Sequence, residues 1–461
     1  MLAFWGGCTI LVLLALIMTK RMSVVVALVL VPIVFGLLAG LGSELGGYIY
    51  AGLKSVAPTG IMLTFAILYF SVMNDAGMFD PMIKGIIKFG GQDPTKVAVG
   101  TALIAMLAHL DGSGASTFLI CIPAMIPIYD RLSMDRKILA CIAALGAGTM
   151  NIMPWGGPTL RAATSLSVDI STLFNPLIPA LGAGILTVIV LAFWLGKKEK
   201  ARLSAAETMA GGDFVDNTQY EGIDDQEDEE KARLKRPKLF LFNLLLTVAA
   251  LVVLVTKSLP LPIVFVIALP IALLVNYPNV KLQQARITAH GHAAILMVSI
   301  IFSAGVFTGI LKGSGMIKAL ATSLVSFIPE SLGAHLPVLT AITSMPASLL
   351  FDPDSYYFGV LPVLAHASEA LGGSAIEVAR GALLGQMTTG FPVSPLTAST
   401  FLLIGLAGVD LADHQKKTIP LAFLVTLVMT VVAVITGGIN PLIFNQHGQV
   451  FAKKLSHHYW I

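Results

Sequence analysis

Charge is scarce in this chain. Asp, Glu, Lys and Arg make up 12% of its 461 residues, and hydrophobic residues 56%, where a soluble globular chain carries roughly 25% charge. So few charges cannot cover a water-exposed surface, and the composition indicates a polytopic membrane protein. The net charge of +3 decides little. Cysteine is rarer still: Cys8, Cys121 and Cys141 all fall in apolar segments, which argues against a disulfide framework and for small buried hydrophobes. There is no His-Glu-x-x-His and no Gly-Lys-Ser/Thr loop, so neither an intramembrane metalloprotease nor an ATP-fuelled pump has support. The reading is of a protein that is not an enzyme, has no nucleic-acid partner and holds no permanent cofactor. Residues 1–19 lack the basic start of a signal peptide and are taken as the first spanning segment.

What the chain does have is long apolar runs. Segments of spanning length lie at about 2–19, 23–42 and 58–74, then 138–168 and 172–196. In the second half they lie near 239–256, 259–277, 292–312, 334–350, 355–367, 375–404 and 417–440. Between 74 and 96, Met78, Phe79, Met82, Ile83, Ile86 and Ile87 recur at helical spacing, which predicts an amphipathic helix along the interface. Residues 197–237 are the long hydrophilic stretch, with basic ends and an acidic middle, and are expected to be a flexible linker. Residues 441–461 form a polar tail.

The two halves are related. Pro32 and Pro270, like Gly77 and Gly315, lie 238 residues apart; Gly148 and Gly385, like Pro158 and Pro395, lie 237 apart. A near-constant offset over separated landmarks indicates an internal repeat, the mark of secondary transporters. The basic clusters Lys20-Arg21, Lys197–Lys200 and Lys235–Lys238 belong in the cytoplasm by the positive-inside rule. Segment one then runs inward and its mate at 239–256 outward, so the repeats are inverted, with Ser43–Pro58 outside. The expected fold is an all-α membrane protein with an N-terminal repeat (1–196), the linker (197–237) and a C-terminal repeat (238–440).

Each repeat carries two irregular stretches inside apolar sequence. Asp111 lies in Leu110-Asp-Gly-Ser-Gly-Ala-Ser116, flanked by apolar runs. An ionised carboxylate at mid-membrane costs about 2.5–3.5 kcal/mol on insertion scales, so it must face a cavity or a partner. Both flanks of 97–128 read as cytoplasmic, so the segment enters and returns. Each arm of about 14 residues spans about 21 Å, enough to reach the middle of the bilayer. By symmetry, 334–367 is a second hairpin with its tip at Phe351-Asp352-Pro353-Asp354-Ser355. The segments 138–168 and 375–404 are each interrupted by two prolines and at least one glycine, Pro154 to Pro158 and Gly390 to Pro395, where no helix continues unbroken. Broken backbone survives in a membrane only where protein or a water-filled cavity satisfies it. Two tips and two broken helices can therefore meet at the midplane, offering half-helix N-termini to carboxylates.

The tips His-Leu-Asp111-Gly-Ser-Gly-Ala-Ser and Phe-Asp352-Pro-Asp-Ser resemble those of the citrate–divalent metal:proton symporters, the CitMHS family of the ion transporter superfamily. So do the breaks Asn151-Ile-Met-Pro-Trp-Gly-Gly-Pro-Thr-Leu-Arg161 and Thr388-Thr-Gly-Phe-Pro-Val-Ser-Pro-Leu-Thr397. The resemblance runs essentially end to end. It implies uptake of citrate complexed with a divalent ion such as Mg²⁺ or Ca²⁺, in symport with protons. It also implies a homodimer in the bacterial inner membrane, and an elevator-type division into scaffold and moving part.

Citrate bound to Mg²⁺ or Ca²⁺ needs donors for carboxylates and oxygen ligands for the metal. Arg161 offers a planar fork. Ser113, Ser116, Thr159, Ser355, Thr388, Thr389, Ser394 and Thr397, the Asn151 amide and the backbone at Gly114 and Gly157 are the lighter candidates. Asp111, Asp352 and Asp354 are candidates for metal contact or proton coupling, Asp354 the weaker because its first-half counterpart is Ser113. Blander roles stand beside these: Asp111 and Asp352 as helix caps, Arg161 snorkelling outward, and His109 merely packed. Glu377 and Arg380 are expected to pair. Gluconate- or dicarboxylate-type carriage, or cation/proton antiport, are the alternative functions; Arg161 argues against the latter.

Overall fold

A computed structural model describes residues 1–19, 21–209, 229–256, 258–325 and 335–440. The 441–461 tail and the middle of the linker lie outside the described residues. Among those described the secondary structure is helical throughout. The first half runs α1 (Leu2–Met18), α2 (Val24–Leu38), α3 (Leu45–Asp75), α4 (Asp80–Gly90), α5 (Pro94–Ala108), α6 (Gly114–Arg131), α7 (Arg136–Met150), α8 (Gly157–Leu166), α9 (Ile170–Phe174) and α10 (Ile178–Met209). The second half runs α11 (Glu229–Leu234), α12 (Phe240–Val255), α13 (Leu261–Asn276), α14 (Val280–Gly313), α15 (Met316–Val325), α16 (Leu336–Ala347), α17 (Leu361–Ala370), α18 (Ala375–Leu383), α19 (Ala398–Ala407) and α20 (Leu411–Ile435).

The long helices α3, α14, α20 and the stretch 170–205 are apolar and long enough to span a bilayer. Large apolar side chains point outward where a soluble protein would place charge: Leu11, Leu37, Leu186, Phe193, Leu245 and Leu274 are all exposed. That outer face suits lipid. The helix expected between 74 and 96 is α4, whose Ile83, Ile86 and Ile87 pack on the core while Lys84 and Lys88 are exposed.

Three boundaries differ from the sequence reading. Residues 45–58, expected outside as a loop, are helical, because α3 continues through Pro58. At 31 residues it is about 46 Å long, so its first turns overrun a 30 Å hydrocarbon core. α14 likewise begins at Val280 rather than near 292. The expected linker opens as helix: α10 carries on through Lys197–Lys200 to Met209. There Glu199 is buried and accepts from the Asp135 N–H at 2.7 Å. The linker's far end is also fixed, with Lys235 Nζ 2.7 Å from Asp80 and Arg236 N–H donating to the Ala76 carbonyl at 2.9 Å.

α3 and α14 cross in near contact of their backbones. A Cβ on Gly52 would overlap the Gly305 carbonyl oxygen and come 2.8 Å from Gly309 Cα, and one on Gly313 would strike the Tyr48 ring. Gly305, Gly309 and Gly313 at spacing four make the stripe of small residues that lets membrane helices close up. Gly52→Ala is expected to lower stability by about 1–3 kcal/mol through overpacking. Thermal melting of the purified protein in detergent checks it, and an unchanged melting temperature would mean the seam is not this tight.

In each half the first arm of a turn-and-return element lies on the first half of a broken helix. α5 packs on α7 where Gly146 faces the Ala102 carbonyl, and α16 packs on α18 where Gly381 faces the Pro337 carbonyl. α5 and α6 run antiparallel: the Thr101 and Tyr129 hydroxyls lie 3.1 Å apart near one end, and His109 Nδ1 lies 2.7 Å from Thr117 Oγ1 near the other. At the open end Asp93 caps α5 through the Thr95 N–H at 2.8 Å. The Lys200 ammonium beside it holds the Asp93 carboxyl below the usual carboxylate range.

Candidate functional site

The α5–α6 turn is built by Asp111 and glycine. Gly112 takes φ +73°, which an L side chain rarely adopts. Asp111 accepts from the Ser113 N–H at 2.8 Å and from the Ser116 hydroxyl, and Ser113 Oγ accepts from the Ser116 N–H at 3.3 Å. The second turn repeats this. Asp352 accepts from the N–H groups of Asp354 and Ser355 at 3.0 and 3.1 Å and from the Ser355 hydroxyl at 2.5 Å. Both aspartates thus cap the chain that follows them. The chain leaves the second tip as a π-helical turn, Ser355–Val360, a local irregularity frequent at functional sites.

The broken helices are closed by their own side chains. Thr159 donates to the Ile152 carbonyl at 2.8 Å, Thr388 to Leu383 at 2.5 Å and Thr397 to Phe391 at 3.0 Å. Ser394 donates to the Ser348 carbonyl at 2.5 Å, and the Thr389 and Thr426 hydroxyls meet at 2.5 Å. A hydroxyl whose proton is committed can still accept but no longer donate. Such groups suit a cation better than a carboxylate. α8 and α19, which follow the two breaks, both begin without a side-chain cap. Their first N–H groups and positive dipole ends, including the N–H of Gly157, suit an anion.

The structure brings tips and breaks together. Gly112 faces Trp155 of the first break, and a Cβ on Gly114 would meet Phe391 and Ser399 of the second. Trp155 Nε1 donates to the Leu110 carbonyl at 2.8 Å and its ring stacks on Phe70 at 5.0 Å. From the second half, Ser348 donates to Gln386 Oε1 at 2.6 Å, and Tyr357 to the Gln386 carbonyl at 2.8 Å.

The decisive pair joins the halves. Arg161 Nε donates to Asp354 Oδ1 at 2.7 Å, with side chains only 8% and 11% exposed. Its Nη1 donates to the Gly157 carbonyl at 3.2 Å. The snorkelling alternative for Arg161 is therefore not the one found, and Asp354 is its buried partner. Asn151 is committed on both sides, its Oδ1 to His109 Nε2 at 3.1 Å and its Nδ2 to the Met387 carbonyl at 2.5 Å. Glu377 and Arg380 do not pair as expected. Arg380 donates to the carbonyls of Thr172 and Gly438 at 2.8 and 3.0 Å, while Glu377 accepts from the Asn440 backbone and amide. Each is instead taken up by backbone elsewhere, Arg380 by α9 and the turn after α20, and Glu377 by that same turn. Ser348, Gln386 and Tyr357 were not singled out in the sequence; nothing in their spacing marks them.

Residues 13–385 match the citrate transporter family, CitMHS. The chain belongs to the citrate transporter family. It is a transporter and not an enzyme, and the resemblance carried by the tip and break motifs holds. A citrate transporter of Bacillus subtilis (strain 168) is 51% identical over 440 residues, covering 95% of this chain and 100% of that protein. The Mg(2+)/citrate complex secondary transporter of the same organism is 45% identical over 441 residues, covering 95% and 99%. Among solved structures the YdaH transporter of Alcanivorax borkumensis is similar in fold, with a TM-score of 0.55 at 16% identity over 88% of this chain and 89% of that one. The family member described here is thus an all-helical membrane protein of that architecture.

Proposed function

We propose that this citrate transporter carries citrate complexed with a divalent metal ion into the cell, in symport with protons. The buried Arg161–Asp354 pair, which ties the helix after the first break to the second tip, is the observation that carries the reading. A buried guanidinium recognises a carboxylate, and has little use in a carrier of cations alone. Asp111, Asp352 and Asp354, with hydroxyls that can only accept, supply oxygen to a hard cation, as metal-bound citrate requires. Among the described residues no three His, Cys, Asp or Glu side chains cluster as a metal site, so most of the ion's ligands come from citrate itself. The matching arms and breaks of the two halves support two inverted repeats with re-entrant hairpins, and an elevator-type motion in a dimer follows from the resemblance. The bacterial inner membrane is the proposed location.

Uptake of labelled citrate into vesicles holding the purified protein tests this. Uptake should require Mg²⁺, Ca²⁺ or another divalent ion, and should rise with an inward proton gradient. Uptake that ignores both metal and gradient would overturn the reading; a similar rate with a dicarboxylate would favour the nearest alternative.

A further inference from the structure

His109 is fully buried and stacks on Phe391 at 5.7 Å between ring centroids. Its two nitrogens touch Thr117 Oγ1 at 2.7 Å and Asn151 Oδ1 at 3.1 Å. Asn151 Nδ2 is spent on the Met387 carbonyl, so its Oδ1 must accept and His109 Nε2 must carry a proton. The chain of donors runs one way, from His109 in the first tip through Asn151 in the first break to Met387 in the second. On the far side of the same residue, Ser348 Oγ of the second tip accepts from the Met387 N–H at 3.2 Å. Met387 takes φ +56°, a left-handed conformation that a long side chain adopts only when its surroundings hold it there. Its backbone is thus gripped by both halves at once.

We infer that His109 and Ser348 are positioning residues of the transport site, which fix the two tips relative to each other by holding Met387 between them. This rests on the proposed function for its consequence, the fit of the metal–citrate complex, though not for its geometry. The imidazole is no bystander to the fold: a packed histidine would need partners, but not partners that lead across the molecule to the other tip.

Two measurements test it. Hydrogen exchange of the full protein in detergent compares wild type with His109→Phe, which keeps the ring on Phe391 but loses both bonds. Exchange should speed up at 384–390 as well as at 109–117; a change confined to 109–117 overturns the inference, whatever the carrier transports. In vesicles, His109→Phe and Ser348→Ala should each raise the KM for Mg²⁺–citrate by about three- to tenfold, the worth of one buried bond, and change the ratio of KM between Mg²⁺ and Ca²⁺. His109→Gln, which can still donate to Asn151, should recover most of the loss. An unchanged KM and metal ratio, with only the maximal rate falling in step with folded protein, overturns the positioning role. A wild type that takes up no metal–citrate overturns the proposed function instead, and leaves the exchange result to decide whether His109 holds Met387.

Discussion

Arg161→Ala should bring metal–citrate uptake close to background and lower stability by about 3–5 kcal/mol, because it strands the Asp354 carboxylate in the interior without its partner. The two effects have different origins and can be parted. Arg161→Ala combined with Asp354→Ala removes both charges, so melting should recover towards wild type while uptake stays lost. Arg161→Lys keeps the charge but loses the Nε–H and the planar fork, so it should fold better than the alanine variant and bind citrate poorly. Initial uptake rates and thermal melts of the four proteins decide the matter. If the double variant regains uptake along with stability, the pair is a structural bolt and not the carboxylate site.

The tip aspartates should show the opposite balance, with a modest loss of stability and a large loss of function. Asp111 and Asp352 each accept from a backbone N–H and from a serine hydroxyl. Replacing either by Asn keeps one accepting oxygen for the backbone and turns the other position into a donor facing the serine. The cost of that mismatch is about 1–3 kcal/mol. Uptake should fall at least tenfold, and its dependence on Mg²⁺ against Ca²⁺ should change, if these carboxylates meet the cation. Variants that keep the wild-type metal profile, and lose uptake only in proportion to folded protein, would leave both aspartates as caps. Asp354 was expected to matter less than the other two because Ser113 stands in its place in the first half. Its ion pair with Arg161 reverses that order, so Asp354→Asn should be at least as damaging as either.

How much of this is legible in the sequence depends on the kind of signal. The tips and breaks are, because Gly and Pro inside long apolar runs leave the backbone no regular option, and Asp111 or Pro158 in such a setting is conspicuous. The ends of helices are not. Residues 45–58, 197–209 and 280–291 are polar enough to read as loops, yet they are helical, and nothing in hydropathy separates a helix that leaves the bilayer from a chain that stops at it. The pairing of Arg161 with Asp354 was invisible for a simpler reason: 193 positions separate them, and only the folding of one half onto the other makes them neighbours. The same holds for His109, whose meaning lies in Asn151 and Met387. The hydroxyls at the breaks are conspicuous in the sequence, but most of their protons are spent on carbonyls, which spacing cannot reveal.

The glycine seam between α3 and α14 has a mechanical consequence. Tyr48 lies over Gly313 and Val56 over Gly305, with Gly52 fitted between Gly305 and Gly309. Sliding one helix along the other by a single turn, about 5.4 Å, would drive a valine or a tyrosine ring into backbone. These two long rods are therefore keyed like a shaft in its collar. They can tilt together, but neither can travel past the other. Any movement that carries the tips and breaks from one side of the bilayer to the other has to take place around this joint, on surfaces that lack such teeth.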